Sequence, residues 1–98
     1  MENLITITIP PAIQESLIDW LLEVHGRTGF TSFPVSGHSS RPDGLSLAEQ
    51  VSGQRRHVRF QIHIPDAETD AFLLRLRADF SGAGLHYWVS PVLDSGHI

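Results

Sequence analysis

Two tetrapeptides, Ile7-Thr8-Ile9-Pro10 and Ile62-His63-Ile64-Pro65, divide this chain of 98 residues into two similar halves. Each closes a run in which apolar and polar side chains alternate, the period of a strand with one buried face and one wet face. In the first run Ile5, Ile7 and Ile9 alternate with Thr6 and Thr8; in the second, Val58, Phe60, Ile62 and Ile64 alternate with Arg59, Gln61 and His63. The proline then ends the strand and opens a helix, at a position where a missing backbone N–H costs nothing. Each helix closes on glycine and is followed by another strand. A strand-helix-strand unit used twice leaves few ways to fold. Right-handed crossovers put strands one and three in the centre of a four-stranded antiparallel sheet, strands two and four at its edges, and both helices on one face. The expected architecture is α+β, a ferredoxin-like βαββαβ arrangement, in a single domain over residues 1–98.

Local signals refine this plan. The first helix runs from Pro11, with Ile13, Leu17, Leu21 and Val24 at helical spacing, to His25-Gly26, where the glycine is expected to turn left-handed and close it. Strand two is expected over residues 29–35, and Pro34, which cannot donate to a ladder, assigns it to a sheet edge. Residues 36–44 are dense in turn formers and residues 45–50 suit a short helical turn, which makes a connection of roughly 18 residues before strand three. Asp66 is the expected cap of the second helix, whose apolar face is Phe72, Leu73, Leu76 and Phe80. Ser81-Gly82-Ala83-Gly84 ends that helix, and a fourth strand over residues 85–90, with Pro91 near its end, leads to a polar tail.

Composition excludes several functions. The formal net charge of −4 argues against general attraction to nucleic acid or to anionic membrane. With no cysteine there are no disulfides and no thiolate metal sites. The Met1-Glu2-Asn3 start lacks the basic region of a signal peptide and no apolar run is long enough to span a membrane, so a cytoplasmic protein is expected. No Ser-His-Asp, paired-carboxylate or P-loop spacing emerges, and the only asparagine is Asn3, so a phosphatase pairing of Arg with Asn has little to draw on. A binding protein is expected, not an enzyme.

Three clusters of residues are candidates for binding. The long loop and its rims carry Gly37, His38, Arg41, Arg55, Arg56 and His57, with Arg59 further along strand three. Glycine-rich backbone and guanidinium forks suit a phosphate or a carboxylate. The six histidines suit zinc, copper or nickel, although none are spaced as H-x-x-x-H; His38 and His57 flank the loop and would form the metal pair if it folds back. Thr6, Thr8, Gln61, His63, His86 and Trp88 belong to the sheet face that carries no helices. Burial against further copies of the chain is the expected fate of that face.

With this topology, the Thr28-Gly29 pair opening strand two and Val35-Ser36-Gly37-His38 leading into a long loop, the chain resembles the PII-like signalling proteins. The stretch from Leu45 to Phe60 resembles a small proteobacterial branch of that family whose genes often neighbour heavy-metal efflux pumps. The resemblance covers nearly the whole chain. It implies a homotrimeric regulator that senses a small anion, a mononucleotide or a metal through the loop between strands two and three, with a membrane efflux component or its regulator as partner. The chain departs from the nucleotide-binding members in that its turn at residues 81–84 has no lysine and its tail no arginine. Neutralising a phosphate would therefore fall to Arg41, Arg55, Arg56 and Arg59. The alternative resemblance is to CutA, a trimeric divalent-metal tolerance protein of the same fold. Neither resemblance names a cofactor.

Overall fold

A computed structural model describes residues 1–27, 29–38 and 54–98. β1 (Glu2–Ile9) leads through a 3-10 turn (Pro11–Ile13) into α1 (Gln14–His25). β2 (Thr31–His38) and β3 (Gln54–Pro65) follow, then α2 (Asp66–Asp79) and β4 (His86–Val92). The strand order is β2-β3-β1-β4 and every pairing is antiparallel, so β1 and β3 are central as the twofold repeat requires. This is the ferredoxin-like α+β fold.

Register decides which side chains meet. Ile5 stands opposite Ile62, Ile7 opposite Phe60 and Ile9 opposite Val58. These residues point at the helices and are buried, as is Ile64, together with Leu17 and Leu21 of α1 and Phe72, Leu73 and Leu76 of α2. Phe60 has no exposed surface, and truncating such a side chain to alanine costs about 3–5 kcal/mol. The helices are tied to each other by Trp20, whose ring packs edge-on against Phe72 and Phe80, with centroids 5.4 and 5.6 Å away. Its indole N–H also donates to Asp79 Oδ2 at 2.7 Å.

Three local expectations are corrected. β2 runs on through Ser36, Gly37 and His38, which pair with Arg56, Arg55 and Gln54, so these residues belong to the ladder and not to the loop. Gly26 has φ −66°, an ordinary right-handed conformation. Among the described residues the left-handed one after α1 is Gly29, at φ 74°. Asp66 does not cap α2. Its backbone N–H donates to the Met1 carbonyl at 2.9 Å, and its carboxylate accepts from Asn3 Nδ2 at 3.0 Å. The same Asn3 amide reaches Thr69 Oγ1, so the start of β1 rather than a local cap holds the start of α2. As expected, Pro91 lies near the end of β4, opposite Asn3, and β4 is an edge strand where a proline does little harm. The expected helical turn at residues 45–50 lies outside the described residues. Among the described residues no helix is long and apolar enough to cross a membrane.

Candidate functional site

The candidate site lies at one end of the sheet, where β2 stops at His38 and β3 begins at Gln54. Two other features of the fold meet the sheet at this end. The junction at Pro10 leaves β1, and the glycine turn after α2 enters β4; a methyl group placed on Gly84 would lie 3.6 Å from Pro10 Cγ. Gly82 and Gly84 have φ 76° and 82°, a backbone shape that side chains disfavour, so both glycines are needed for the tight return. A groove of about 340 Å³ runs beside this turn, lined by Leu76, Phe80, Leu85 and Tyr87, with the Arg77 guanidinium on the Tyr87 hydroxyl.

Side-chain alternation divides the sequence-derived candidates between two faces. Gly37 is opposite Arg55 and Val35 opposite His57, and these four point to the face without helices. A methyl group on Gly37 would be 3.5 Å from His57 Nδ1, so the imidazole lies against the bare glycine backbone. His38 and Arg56 are one residue out of step and project to the helix side, where both are exposed. The ladder therefore brings Gly37, Arg55 and His57 together and sends His38 and Arg56 the other way. The metal pair expected of His38 and His57 does not form across this ribbon, because its two members leave opposite faces. Arg41 lies outside the described residues. Among the described residues no three His, Asp or Glu side chains gather as metal ligands.

Arg59 lies on the same face as Arg55, four residues further along β3, and is engaged there. Its Nε donates to Thr8 Oγ1 at 3.0 Å, and its guanidinium carbon lies 5.0 Å from the Trp88 ring centroid. It thus bridges from β3 across β1 to β4. The sequence alone made Arg59 an anion ligand. The Thr8–Arg59 register that reveals its other role depends on strand pairing and cannot be read from local pattern. Thr6, beneath this bridge, is buried although it lies on the face without helices. Phe33 and Trp88 on that face remain 38 % and 39 % exposed, so the sheet presents a partly aromatic surface. His63 and His86 are opposite Leu4 and Thr8, on different strands and at different levels.

Charge is unevenly distributed between the layers. Of the eleven acids, seven are on the described helices: Glu15, Asp19, Glu23, Asp66, Glu68, Asp70 and Asp79. β3 carries Arg55, Arg56 and Arg59, and among the described residues Glu2 is the one acid within the strands. An approaching anion is repelled by the helical layer and attracted to the sheet.

Together, the ferredoxin-like sheet, the long β2–β3 connection and the cation-lined base of that connection define a PII-like fold. The chain belongs to the DUF3240 family, described as proteins of unknown function, whose model matches residues 1–98. A DUF3240 family protein from Shewanella baltica OS155 superposes with a TM-score of 0.78 at 24 % identity, over 99 % of this chain and 96 % of that one. CPII, a nitrogen regulatory PII-like protein from Thiomonas intermedia K12 solved with ADP, AMP and bicarbonate bound, superposes with a TM-score of 0.69 at 18 % identity, with the same coverages. No curated protein matches the sequence.

Proposed function

We propose that the protein is a PII-like regulator that binds a small oxyanion, either bicarbonate or the phosphate of an adenine mononucleotide, at the base of the β2–β3 connection, and that three copies associate through their helix-free sheet faces. The observation that carries this reading is the pairing of Gly37 with Arg55 beside His57. Bare backbone, a permanent cation and an imidazole stand on one face at the mouth of a long connection. A guanidinium offers two parallel N–H donors to a planar or tetrahedral oxyanion, and the bare Gly37 leaves room for the His57 imidazole to lie beside it. The likeness to CPII, solved with ADP, AMP and bicarbonate, supports the ligand class. In this reading the ligand biases the order of the connection, and that order is what a partner detects. The partner is a heavy-metal efflux component or its regulator, as the family resemblance implies. The protein binds its ligand without turning it over.

Isothermal titration with bicarbonate, AMP, ADP and ATP tests the reading. At least one of these is expected to bind, and Arg55→Gln is expected to weaken it roughly tenfold or more by removing a charge-assisted pair. Arg56→Gln, on the other face, should change affinity less than about twofold. Absence of binding by all four at about 10 mM would dismiss the oxyanion reading. Equal losses for Arg55→Gln and Arg56→Gln would remove the site from this face.

A further inference from the structure

A wide, half-open cavity lies at the other end of the sheet. It measures about 850 Å³, within the range of small-molecule sites, and Glu2, Leu4, Arg27, Phe30 and His63 line it together with the C-terminal segment Ser95-Gly96-His97. Its construction follows from the topology. β4 ends at Val92, opposite Glu2, on the β1 side of the sheet. Arg27, Gly29 and Phe30 precede β2, on the far side of β3. The six residues after Val92 bring Ser95, Gly96 and His97 to the same cavity as that far wall, so the exposed tail borders the space at the end of the sheet.

The lining is chemically divided. Arg27 is a permanent cation, and His63 and His97 supply two imidazoles. The only carboxylate is Glu2, whose Oε2 is 3.6 Å from His63 Nδ1 and so already faces a partner within the wall. Leu4 and Phe30 supply apolar surface. A cation with two imidazole donors beside an apolar wall suits a ligand with one carboxylate on a short apolar frame: the carboxylate meets Arg27 and the imidazoles, and the frame covers Leu4 and Phe30. We propose that this basal cavity, which opens on the helix-free face beside the proposed interface between copies, is a second ligand site, for a small organic carboxylate, bordered by the C-terminal tail. It is independent of the proposed oxyanion site. Arg55 and His63 are eight residues apart on one strand, about 26 Å at the rise of a β-strand.

The experiment is amide NMR on the full-length protein, with benzoate and acetate as carboxylate probes and benzamide as the uncharged isostere of benzoate. Benzoate is expected to shift the amides of Gly29, Thr31, His63 and Gly96 saturably, acetate more weakly, and benzamide not at all. Arg27→Gln should weaken benzoate roughly tenfold or more, and removal of residues 95–98 should weaken it as well. Arg55→Gln, which disables the other proposed site, should leave the benzoate isotherm unchanged, so that either proposal can fail without the other. No saturable shift at these amides with benzoate at about 10 mM would overturn the proposal. So would equal binding of benzamide, or an isotherm unaltered in a folded Arg27→Gln protein.

Discussion

Gly26 is a glycine required by close approach and not by handedness. Its φ of −66° is open to any residue, yet a methyl group built there would overlap the Leu22 carbonyl oxygen. Intrinsic propensity alone would make Gly26→Ala stabilising by up to about 1 kcal/mol. The overlap with a backbone atom reverses the sign, because the last turn of α1 would have to shift. Gly26→Ala is therefore expected to destabilise by about 1–2 kcal/mol, read as a lower Tm in a thermal melt. A raised Tm would mean that the helix end yields without cost. Arg59 makes the second residue-scale case. Its hydrogen bond to Thr8 and its stacking on Trp88 are half-buried contacts across three strands. Arg59→Ala is expected to cost about 1–2 kcal/mol in urea unfolding followed by tryptophan fluorescence. It is also expected to leave oxyanion affinity nearly intact, since Arg55 is about 13 Å further along the strand. A loss of affinity as large as that of Arg55→Gln would return Arg59 to the ligand site.

Among the elements, the two helices are tied through Trp20. Trp20 on α1 donates to Asp79 near the end of α2, and Arg75 Nε is 3.7 Å from the same carboxylate oxygen. Because Asp79 is exposed, the tie is worth less than a buried one: Asp79→Ala should cost about 1 kcal/mol, and Trp20→Phe more, since it removes the donor and also reshapes the contacts with Phe72 and Phe80. Chemical denaturation of both variants checks the ranking. What was legible in the chain follows the same divide between local and distant causes. The alternation of Ile5, Ile7 and Ile9 and of Val58 to Ile64 announced the central strands, and the repeat of helix after Ile-Pro announced the topology. The length of β2 was not legible, because Ser36-Gly37-His38 has the composition of a turn and is held extended by partners on β3. Nor was the start of α2, where Asn3, sixty-three residues away in sequence, occupies the carboxylate that local pattern assigned to a cap. The candidate site was half legible. Its residue types were evident, but which of them share a face depends on the parity of the β2–β3 register. That parity joins Gly37 to Arg55 and separates His38 from His57.

At the scale of the whole molecule, the two layers face different fates. The helices present acids to water, which disfavours packing a second acidic layer against them. The opposite sheet face leaves Phe33 and Trp88 more than a third exposed over a buried Thr6, on a central strand that ordinary solvent-facing sheets would lay bare. An aromatic, sparsely acidic sheet face is the surface expected to close around an axis with its own copies. The helical layer has an exposed apolar residue too, Leu74 at 69 %, which makes it a matched control. Phe33→Glu and Trp88→Glu would place a carboxylate where desolvation on assembly costs several kcal/mol, so each is expected to sediment as a monomer in analytical ultracentrifugation. Leu74→Glu should sediment as the assembled species of the unaltered protein. The reverse pattern, with assembly surviving Trp88→Glu and lost in Leu74→Glu, would move the interface to the helices and leave the sheet face, with its arginines, open to solvent.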